Sequence, residues 1–520
     1  QAPLWGLGKV IALEHPELRC TRIDLAGIDQ GQTATVDEQT STAATQICAE
    51  LLAAPLRAAD QVGEDQIAWR QAERYVARLV RCPLPDTGRP LGALTCHPDA
   101  TYLITGGLGG LGLLVARWLV EQGARHLLLL GRSQPKPDAQ RQLDELTQLG
   151  ATVSVGQGDV SDLNQVAAAL ATIDPAYPLR GVIHAAGVVD DGILLQQSWP
   201  RLMKALAPKV WGAWHLHQLT QAAPRGRPPL GALDFFVCFS STASLLGNVG
   251  QANYAAANAF LDAFAAYRQA QKLPALTINW SAWSEVGGAA ALVEQTQQQG
   301  ASRMDTFIAP AQGLQILASL LATSLLAQPL PQVGVVPVNW ATHNGTATLA
   351  QPFLADLAAR LPSRSEPDVA EQSLRTQSIL QQLQAAPPPL QKDHLRSYLQ
   401  KEVARLLGLT HLPEINQTFV DLGMDSLMAL ELKKSLEKAL ETSLPSTLAF
   451  EYPAVESLTL YLAQRVLGLD ELPPERADQA VPKGDSPLDP IVASQALEEL
   501  SADGLMSLIS AEYQAYQEQS

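Results

Sequence analysis

The sequence has few cysteines, no long apolar run and a deficit of basic residues. Its five cysteines lack Cys-x-x-Cys spacing, which excludes a disulfide framework or a zinc cluster and favours a reducing compartment such as the cytoplasm. No apolar stretch approaches the roughly 20 residues that cross a bilayer, and no signal-like segment is present. The 36 Lys and Arg against 52 Asp and Glu give a net charge of −16. We therefore expect a cytoplasmic protein with no metal site and no membrane or nucleic-acid partner.

The composition predicts several globular domains. The chain has 520 residues, of which 47% are hydrophobic, and this is more than one compact domain needs. Because its first residue is Gln1 and not Met, we expect it to be a piece of a longer polypeptide.

The patterning along the chain divides it into five segments. Residues 98–345 alternate continuous apolar strands with helices, which predicts an α/β, doubly wound parallel sheet. Residues 1–97 mix short strands and helices without a catalytic constellation, so we interpret them as a structural subdomain. Residues 346–390 are polar and Pro-rich and predict a flexible linker. Residues 391–467 predict a small all-α domain, and residues 468–520 predict a second linker with a terminal amphipathic helix.

A glycine-rich segment between the first apolar strand and its helix predicts a dinucleotide site. Glycines at such a junction let the backbone approach a pyrophosphate, which the helix N-terminus stabilises. A glycine-rich loop alone is a weak signal, but its placement here strengthens it. The segment consists of Thr105, Gly106, Gly107, Leu108, Gly109, Gly110, Leu111 and Gly112.

Residues after the following strands predict the rest of the cofactor site. Arg132 and Ser133 stand where an acidic residue would bind the ribose of NAD, and they suit the 2′-phosphate of NADPH instead. Asp159 and Val160 are expected to bracket the adenine. The small residues of the next strand end would let the ribose pass, and these are Ala185, Ala186 and Gly187. We interpret the adjacent His184 as a core histidine.

Four further residues suit the reduction of a carbonyl group. Tyr254 and Asn258 are four apart at the head of a predicted helix and share one face. Ser241 ends the preceding strand, and Lys209 lies on another predicted helix. A nearby ammonium lowers the pKa of a tyrosine, which makes it a better proton donor. Each residue alone would more simply be a packed tyrosine, a solvated lysine or a helix cap.

These motifs resemble the ketoreductase domain of modular type I polyketide synthases, within the short-chain dehydrogenase/reductase superfamily. The matching segments, in order, are TGGLGGLG, HAAGVVDDG, KVWGAWHLHQLT, SSTASLLGNVGQANYAAANAFLDA and INWSAWSEVG. Lysine at 209 and asparagine four residues after Tyr254 reproduce the exchanged arrangement of that family. The resemblance implies that residues 1–97 are a truncated, degenerate Rossmann-like half without a cofactor site.

The resemblance also implies roles for these residues. Tyr254 would protonate the β-keto oxygen while NADPH delivers hydride, and Ser241 would hydrogen-bond that oxygen. Lys209 would lower the pKa of Tyr254, and both would contact the cofactor. Asn258 would hold a proton-relay water.

Stereochemical marks of the family are present as well. Val189, Asp190 and Asp191 stand where B-type enzymes have Leu-Asp-Asp, and Leu246 stands where A-type enzymes have tryptophan. Ala256 replaces the proline linked with epimerisation. The resemblance implies B-type reduction to a D-β-hydroxyl without epimerisation, whereas a solvated loop would be the plain alternative for the two aspartates. Residues 284–310 would form a mobile lid.

The segment FVDLGMDSLMALELKKSLEKAL places Ser426 at the start of an amphipathic helix, where a phosphate is well stabilised. Ser426 could equally serve as a simple helix cap. The segment resembles the Asp-Ser-Leu motif of acyl carrier proteins, and TLAFEYPAVESLTLYL resembles their third and fourth helices. The resemblance implies a four-helix carrier whose Ser426 bears phosphopantetheine, added by a phosphopantetheinyl transferase. The terminal amphipathic segment would be a docking element for the downstream synthase polypeptide, or a fraying helical end.

Together these features predict an NADPH-dependent β-ketoacyl-thioester reductase fused to its carrier protein, working with other polyketide synthase domains on a carrier-bound intermediate. One alternative is a catalytically inactive reductase fold that acts as a scaffold beside a working carrier. Another is a dehydrogenase of free alcohols, which would leave the Ser426 helix unexplained.

Overall fold

The structure is a computed structural model. It describes residues 1–25, 44–50, 63–70, 73–82, 95–221, 232–284, 307–324, 330–337, 351–360, 379–380, 383, 386–407, 409, 411–419, 421–422, 424, 426–440, 442, 444–445 and 448–469. The predicted docking segment beyond residue 469 and residues 285–306 of the predicted lid lie outside these ranges.

The N-terminal part contains a helix and a small sheet. Its elements are α1 (Ala2–Glu14), β1 (Arg22–Asp24), α2 (44–50), β2 (Gln66–Arg70) and β3 (Glu73–Val76). β1 pairs with β2 in parallel, and β2 pairs with β3 antiparallel. Proline lacks a backbone N–H and is tolerated in a first helical turn, so Pro3 suits the start of α1, and Pro16 follows its end.

Seven parallel strands form the larger sheet. They are β4 (Thr101–Thr105), β5 (His126–Gly131), β6 (Thr152–Gln157), β7 (Leu179–His184), β8 (Phe235–Ser241), β9 (Leu276–Trp280) and β10 (Gln332–Val335). Their order is β10-β9-β8-β7-β4-β5-β6, and every neighbouring pair is parallel. The strand order reverses between β4 and β7, and ligands bind at the carboxyl ends of strands beside such a switch point.

Helices cover both faces of this sheet. They are α3 (Gly110–Glu121), α4 (Pro137–Gln148), α5 (Leu163–Leu170), α6 (Trp199–Leu206), α7 (Gly212–Gln221), α8 (Thr242–Leu246), α9 (Ala252–Ala270) and α10 (Pro310–Ser324). Leu127 and Leu129 of β5 pack with α3, α4 and α10, whereas Leu128 and Leu130 pack with α5, α7 and α9. This alternation confirms the doubly wound arrangement predicted from the continuous apolar strands.

α1 packs closely against α9, the helix that carries Tyr254. A Cβ atom on Gly6 would lie 2.2 Å from the backbone oxygen of Ala255, so a glycine is needed where the two helices touch. Val10 of α1 is fully buried against Ala252 and Ala255. The N-terminal part therefore supports α9 directly.

Part of the predicted linker packs against the domain that contains the seven-stranded sheet. Residues Pro352–Leu354 form a 3₁₀ turn that continues into the helix α11 (Ala355–Ala358). Phe353 and Leu354 are buried in one cluster with Leu245, and the N–H of Leu79 donates to the backbone oxygen of Phe353 over 2.8 Å. Because these two apolar side chains are buried, residues 351–360 are packed in place and do not form part of a flexible spacer.

The C-terminal described part is helical, which confirms the predicted small all-α carrier domain. Its helices are α12 (Pro388–Leu407), α13 (Ser426–Leu440), α14 (Leu448–Glu451) and α15 (Val455–Tyr461). Leu399, Leu432 and Leu458 are fully buried in one apolar cluster that joins these helices. Arg396 of α12 forms a bidentate ion pair with Glu456 of α15, at 2.6 and 3.0 Å.

Candidate active and carrier sites

A cavity of about 1950 Å³ lies where β4, β5, β7 and β8 end. Most of the residues predicted for the cofactor, the chemistry and the stereochemistry line it. The exceptions are Thr105, Gly107, Asp190, Ala256 and Asn258. The sequence motifs therefore meet in one place, as the switch point of a doubly wound sheet predicts.

The glycine turn after β4 has a backbone that side chains would disrupt. Gly106 has a φ of +69°, which favours glycine, and a Cβ atom there would lie 3.0 Å from the backbone of Ala186. A Cβ atom on Gly112 would lie 2.3 Å from the oxygen of Gly106. The cap residue Gly109 offers no side chain to the first N–H groups of α3. These features fit a dinucleotide, whose phosphates bind helix N-termini of this kind.

Thr105 and His184 join the ends of β4 and β7 beneath the turn. Thr105 Oγ1 and His184 Nδ1 are 2.7 Å apart, and the N–H of Ala186 donates to Thr105 Oγ1 over 3.3 Å. Burial lowers the pKa of His184 to about 3, so its ring is neutral. The geometry agrees with the interpretation of His184 as a core histidine.

Arg132 and Ser133 follow β5 at the rim of the cavity, and both are exposed. Among the described residues, no carboxylate forms an ion pair with the Arg132 guanidinium. A guanidinium of this kind suits bidentate binding of a phosphate.

Asp159 and Val160 follow β6. The Asp159 carboxylate accepts hydrogen bonds from the N–H of Ser161 at 2.8 Å and from its hydroxyl at 2.6 Å, which fixes the turn. Val160 packs against α7 at Gly212, where an added Cβ atom would lie 2.8 Å from the Cγ1 atom of Val160. Asp159 and Val160 therefore give the cavity one polar and one apolar lining residue, both in fixed positions.

Lys209 lies in a π-helical turn, Ala207–Trp211, between α6 and α7. Such turns are frequent at functional sites. The side chain is only 2% exposed, and Nζ donates to the backbone oxygen of Phe239 over 2.9 Å. Nζ lies 5.6 Å from the centre of the Tyr254 ring. Glycine at 187 makes room for the lysine, because a Cβ atom there would lie 3.0 Å from Cε. Burial lowers the pKa of Lys209 to about 8.

Tyr254 lies in the first turn of α9 and lines the cavity. Burial raises its pKa, the neighbouring polar side chains of Asn258 and Ser241 act in the opposite direction, and the charge of Asp191 raises the pKa further. The net direction is opposite to the expectation that Lys209 depresses this pKa. The physical reason is that removal of the phenolate from water outweighs the favourable contacts in this pocket.

Ser241 and Asn258 flank the tyrosine. Ser241 Oγ accepts a hydrogen bond from the N–H of Ala243 over 3.2 Å, so the serine caps α8 while it also lines the cavity. Asn258 Nδ2 donates to the backbone oxygen of Tyr254 over 2.8 Å. Asn258 Oδ1 is buried and has no hydrogen-bond partner among the described residues. An acceptor in that position suits a bound water.

The two aspartates of the predicted stereocontrol motif face different ways. Asp190 forms ion pairs with Arg201 at 2.9 Å and Lys204 at 3.0 Å, and these hydrogen bonds lower its pKa. Asp191 lines the cavity beside Val189, and burial raises its pKa. Of the pair, only Asp191 can therefore meet a molecule in the cavity directly.

Sequence reasoning missed several apolar residues of the cavity wall, among them Leu13, Trp280 and Trp283. Leu13 of α1 lines the cavity, although the sequence of α1 predicts a structural layer. Trp280 and Trp283 line it too, and the indole N–H groups of both are buried without a partner among the described residues. The position of Trp280 at the end of a sheet strand was the signal that could have found it.

Ser426 is the first residue of α13. The start of a helix agrees with the predicted position of the modified serine. The neighbouring Gly423 and Asp425 of the motif lie outside the described residues.

Two absences follow from the described residues. No helix among them is long and apolar enough to cross a membrane. A search of the same residues finds no group of three or more His, Cys, Asp or Glu side chains that could hold a metal ion.

The fold and the cavity define a reductase of the short-chain dehydrogenase/reductase type with a carrier domain. A family model described as KR domain matches residues 100–285, and one described as phosphopantetheine attachment site matches residues 397–462. The chain is similar to the first ketoreductase of the tylosin polyketide synthase, with 32% identity and a TM-score of 0.53 over 70% of this chain and 71% of that one. It is also similar to a structure of A-type ketoreductases from a modular polyketide synthase, with 33% identity and a TM-score of 0.52 over 70% and 67%. The chain belongs to the ketoreductase domains of modular polyketide synthases and continues into a carrier domain.

Curated relatives agree with this assignment. The chain is 36% identical over 478 residues to the polyketide synthase GfsA of Streptomyces halstedii, which covers 90% of this chain and 6% of that protein. It is 38% identical over 368 residues to the spectinabilin polyketide synthase system protein NorB of Streptomyces orinoci, which covers 70% and 16%. The chain therefore spans a small part of the relatives it matches.

Proposed function

We propose that this chain uses NADPH to reduce a β-ketoacyl thioester, held on its own carrier domain, to a D-β-hydroxyacyl thioester. The observation that carries the proposal is the meeting of Lys209, Ser241 and Tyr254 around one cavity with the glycine turn. A proton donor, a hydrogen-bond donor and a buried cation beside a dinucleotide cradle are what carbonyl reduction needs.

The chain's own side chains supply the proton and hold the carbonyl oxygen. The nicotinamide, when bound, supplies a hydride to the carbonyl carbon. Tyr254 Oη donates its proton to the oxygen as negative charge develops there, which completes the alcohol. Ser241 Oγ already accepts from the N–H of Ala243, so its hydrogen can be donated to the same oxygen.

Lys209 stabilises the phenolate of Tyr254 after proton transfer, and Asn258 helps to return its proton. The Lys209 ammonium, 5.6 Å from the ring centre, favours the phenolate that remains after proton transfer. Burial raises the pKa of Tyr254 and keeps the phenol protonated before the reaction. The buried Oδ1 atom of Asn258 can hold a water that returns a proton.

The preference for NADPH rests on Arg132 and Ser133 at the rim of the cavity. A guanidinium and a hydroxyl suit a 2′-phosphate, whereas a carboxylate would repel it.

The D configuration rests on the loop after β7. Val189 and Asp191 line the same cavity as Tyr254, and Leu246 lines it without the bulk of the tryptophan that marks A-type enzymes. Similar structures include A-type and C2-type ketoreductases, so likeness of fold does not separate the stereochemical classes.

The carrier role rests on Ser426 at the start of α13. A phosphodiester at that position benefits from the helix N-terminus, and the arm would carry the acyl chain at high effective concentration. The partners of this site would be a phosphopantetheinyl transferase and other polyketide synthase domains. The docking role of the C-terminal segment stays a prediction.

The test is to load a β-ketoacyl pantetheine onto Ser426 and to follow the loss of NADPH absorbance. Tyr254→Phe should slow turnover on the order of 10²- to 10⁴-fold, because a general acid contributes about that much. A mutant as fast as the parent would refute the tyrosine as proton donor. A parent protein that fails to bind NADPH would support the inactive scaffold, and equal turnover of free ketones would support the dehydrogenase of free alcohols.

A further inference from the structure

α1 carries two buried charged side chains to which the sequence pattern assigns no role. Glu14 is 2% exposed and Lys9 is 9% exposed. Charged groups are rarely buried unless they are paired or hydrogen-bonded. Both side chains reach across to backbone groups of the active-site loops, so their burial has a specific partner in each case.

Glu14 joins two loops with one carboxylate. Its Oε2 atom accepts from the N–H of Leu194 over 2.7 Å, and its Oε1 atom accepts from the N–H of Gly250 over 2.8 Å. Leu194 ends the segment 185–194, which we call the β7 loop, and Gly250 belongs to the segment 247–251, which we call the α9 loop. The N–H of Gly192 also donates to the oxygen of Gly250 over 2.7 Å. The carboxylate thus holds the two loops side by side.

These two loops carry the groups that would orient a ketone. The β7 loop contributes Val189 and Asp191 to the cavity, and the α9 loop leads directly into the turn of Tyr254. A further side-chain link between them, from Gln251 Nε2 to Asp191 Oδ1 at 3.1 Å, is longer and more exposed. Hydrogen bonds to an ionised carboxylate are about twice as strong as neutral ones, so the buried Glu14 carboxylate is a strong link between the loops.

Lys9 makes a similar contact with the helix that follows β8. Its Nζ atom donates to the backbone oxygens of Ser244 and Leu245 over 2.8 and 2.9 Å. These carbonyls close α8, whose first turn is capped by Ser241. A cation is favourable at a helix C-terminus. α1 therefore braces the segment after Ser241 with Lys9 and the α9 loop with Glu14.

Which face of a ketone is reduced depends on how the two substituents of its carbonyl carbon are oriented in the cavity. Because the carbonyl oxygen must face Tyr254 to receive its proton, the cavity residues near Tyr254 determine how the two substituents are oriented. The β7 loop contributes some of these residues. A small displacement of that loop relative to the tyrosine would admit the reversed orientation, because a misplacement of about 1 Å already changes catalysis strongly.

We propose that Glu14 is a positioning residue that fixes the β7 loop against the α9 loop and thereby sets the configuration of the product alcohol. The inference rests on the proposed reduction and adds a residue to it. Glu14 itself does not line the cavity, and it acts through the N–H groups of Leu194 and Gly250.

The test is Glu14→Gln in the full chain. The substitution keeps the shape of the side chain but turns an NH₂ group toward one of the two backbone N–H donors, so one bridge is lost. The probe is an α-methyl-β-ketopentanoyl thioester of N-acetylcysteamine, with the β-hydroxyl configurations separated by chiral chromatography. We expect the share of the minor configuration to rise on the order of tenfold, because one charge-assisted hydrogen bond is lost. The KM for NADPH should stay within about twofold, because Glu14 holds the far end of the β7 loop at Leu194, whereas Ala185, Ala186 and Gly187 lie at its start, directly after β7.

Leu119→Ala is the control for a purely structural effect. Leu119 is fully buried in α3, on the face of the sheet opposite to α9 and α1, and its truncation should lower the melting temperature without changing the configuration ratio. A Glu14→Gln protein that loses thermal stability but keeps the parent ratio overturns the inference and leaves the proposed function standing. A parent protein without reductase activity overturns both. Where Glu14→Gln does not fold, Glu14→Asp takes its place, because it keeps both oxygens on a shorter arm and should shift the ratio in the same direction.

Discussion

Burial sets the chemistry of Lys209. Its ammonium is enclosed by the strand β8 and the ring of Tyr254, and desolvation brings its pKa down to about 8. The group therefore remains charged at neutral pH but loses its proton within an accessible alkaline range. A solvent-exposed lysine would titrate about two units higher and would give no activity change there.

The rate of reduction should consequently fall as the pH rises through about 8, because the neutral amine of Lys209 no longer stabilises the phenolate. The measurement is kcat against pH with saturating NADPH. Lys209→Met should be slow at every pH and should lack this alkaline limb.

Lys9 provides the control for that pH profile, since burial lowers its pKa to about 8 as well. If the limb came from Lys9, Lys9→Met would abolish it and Lys209→Met would retain it. We expect instead that Lys9→Met retains the alkaline limb and that Lys209→Met abolishes it.

Arg132 gives the second prediction at this scale. Arg132→Ala should raise the KM for NADPH by roughly 10- to 100-fold and leave the KM for NADH almost unchanged, because one charge-assisted contact worth about 1.5–3 kcal/mol is lost only with the phosphorylated cofactor. Steady-state kinetics with both cofactors measures this. Equal effects on the two would remove Arg132 from the phosphate site.

At the scale of the element, the glycine turn and α3 depend on close backbone contact. Gly112 lies in the first turn of α3, where a Cβ atom would come within 2.3 Å of the Gly106 oxygen. The atom in the way is backbone, so it cannot rotate aside. The turn and the helix must therefore separate if any side chain is added at this position.

Gly112→Ala should weaken NADPH binding by at least about tenfold and cost roughly 1–3 kcal/mol of stability, the usual range for overpacking. Isothermal titration and thermal unfolding measure the two effects. Val115→Ala is the matched control, because Val115 is fully buried in the same helix but away from the turn. It should lose stability and keep its affinity, and a similar affinity loss in both variants would contradict the role of the turn.

The larger elements also show why the sequence of α1 understates its role. It reads as a plain apolar helix, so its pattern predicts packing and nothing more. Only its position against α9 brings Lys9 and Glu14 to loops more than 170 residues later in the chain.

At the scale of the whole molecule, the reductase cavity and the carrier serine lie on one chain, and Met424 and Phe450 of the carrier part also line the cavity. Most residues that line the reductase cavity lie between positions 13 and 354, and the carrier serine begins a helix later in the chain. A tethered substrate reaches the cavity at a concentration that diffusion does not supply.

Ser426→Ala should therefore abolish turnover of a carrier-loaded substrate and leave turnover of a free N-acetylcysteamine thioester close to the parent value. Mass spectrometry after incubation with coenzyme A and a phosphopantetheinyl transferase checks the loading step. Loading of the Ser426→Ala protein would place the arm on another residue.

The sequence by itself determined the doubly wound sheet, the helical carrier and the glycine turn, and it pointed to Tyr254, Ser241 and Lys209 as the candidate catalytic residues. These follow from short-range patterns, since hydrophobic periodicity and motif spacing depend on neighbouring residues. The tertiary structure alone decided that burial raises the pKa of Tyr254, that Asp190 turns to Arg201 while Asp191 enters the cavity, and that Glu14 joins two distant loops. Desolvation and backbone hydrogen bonding between remote segments arise only when the chain is folded, so no local pattern encodes them.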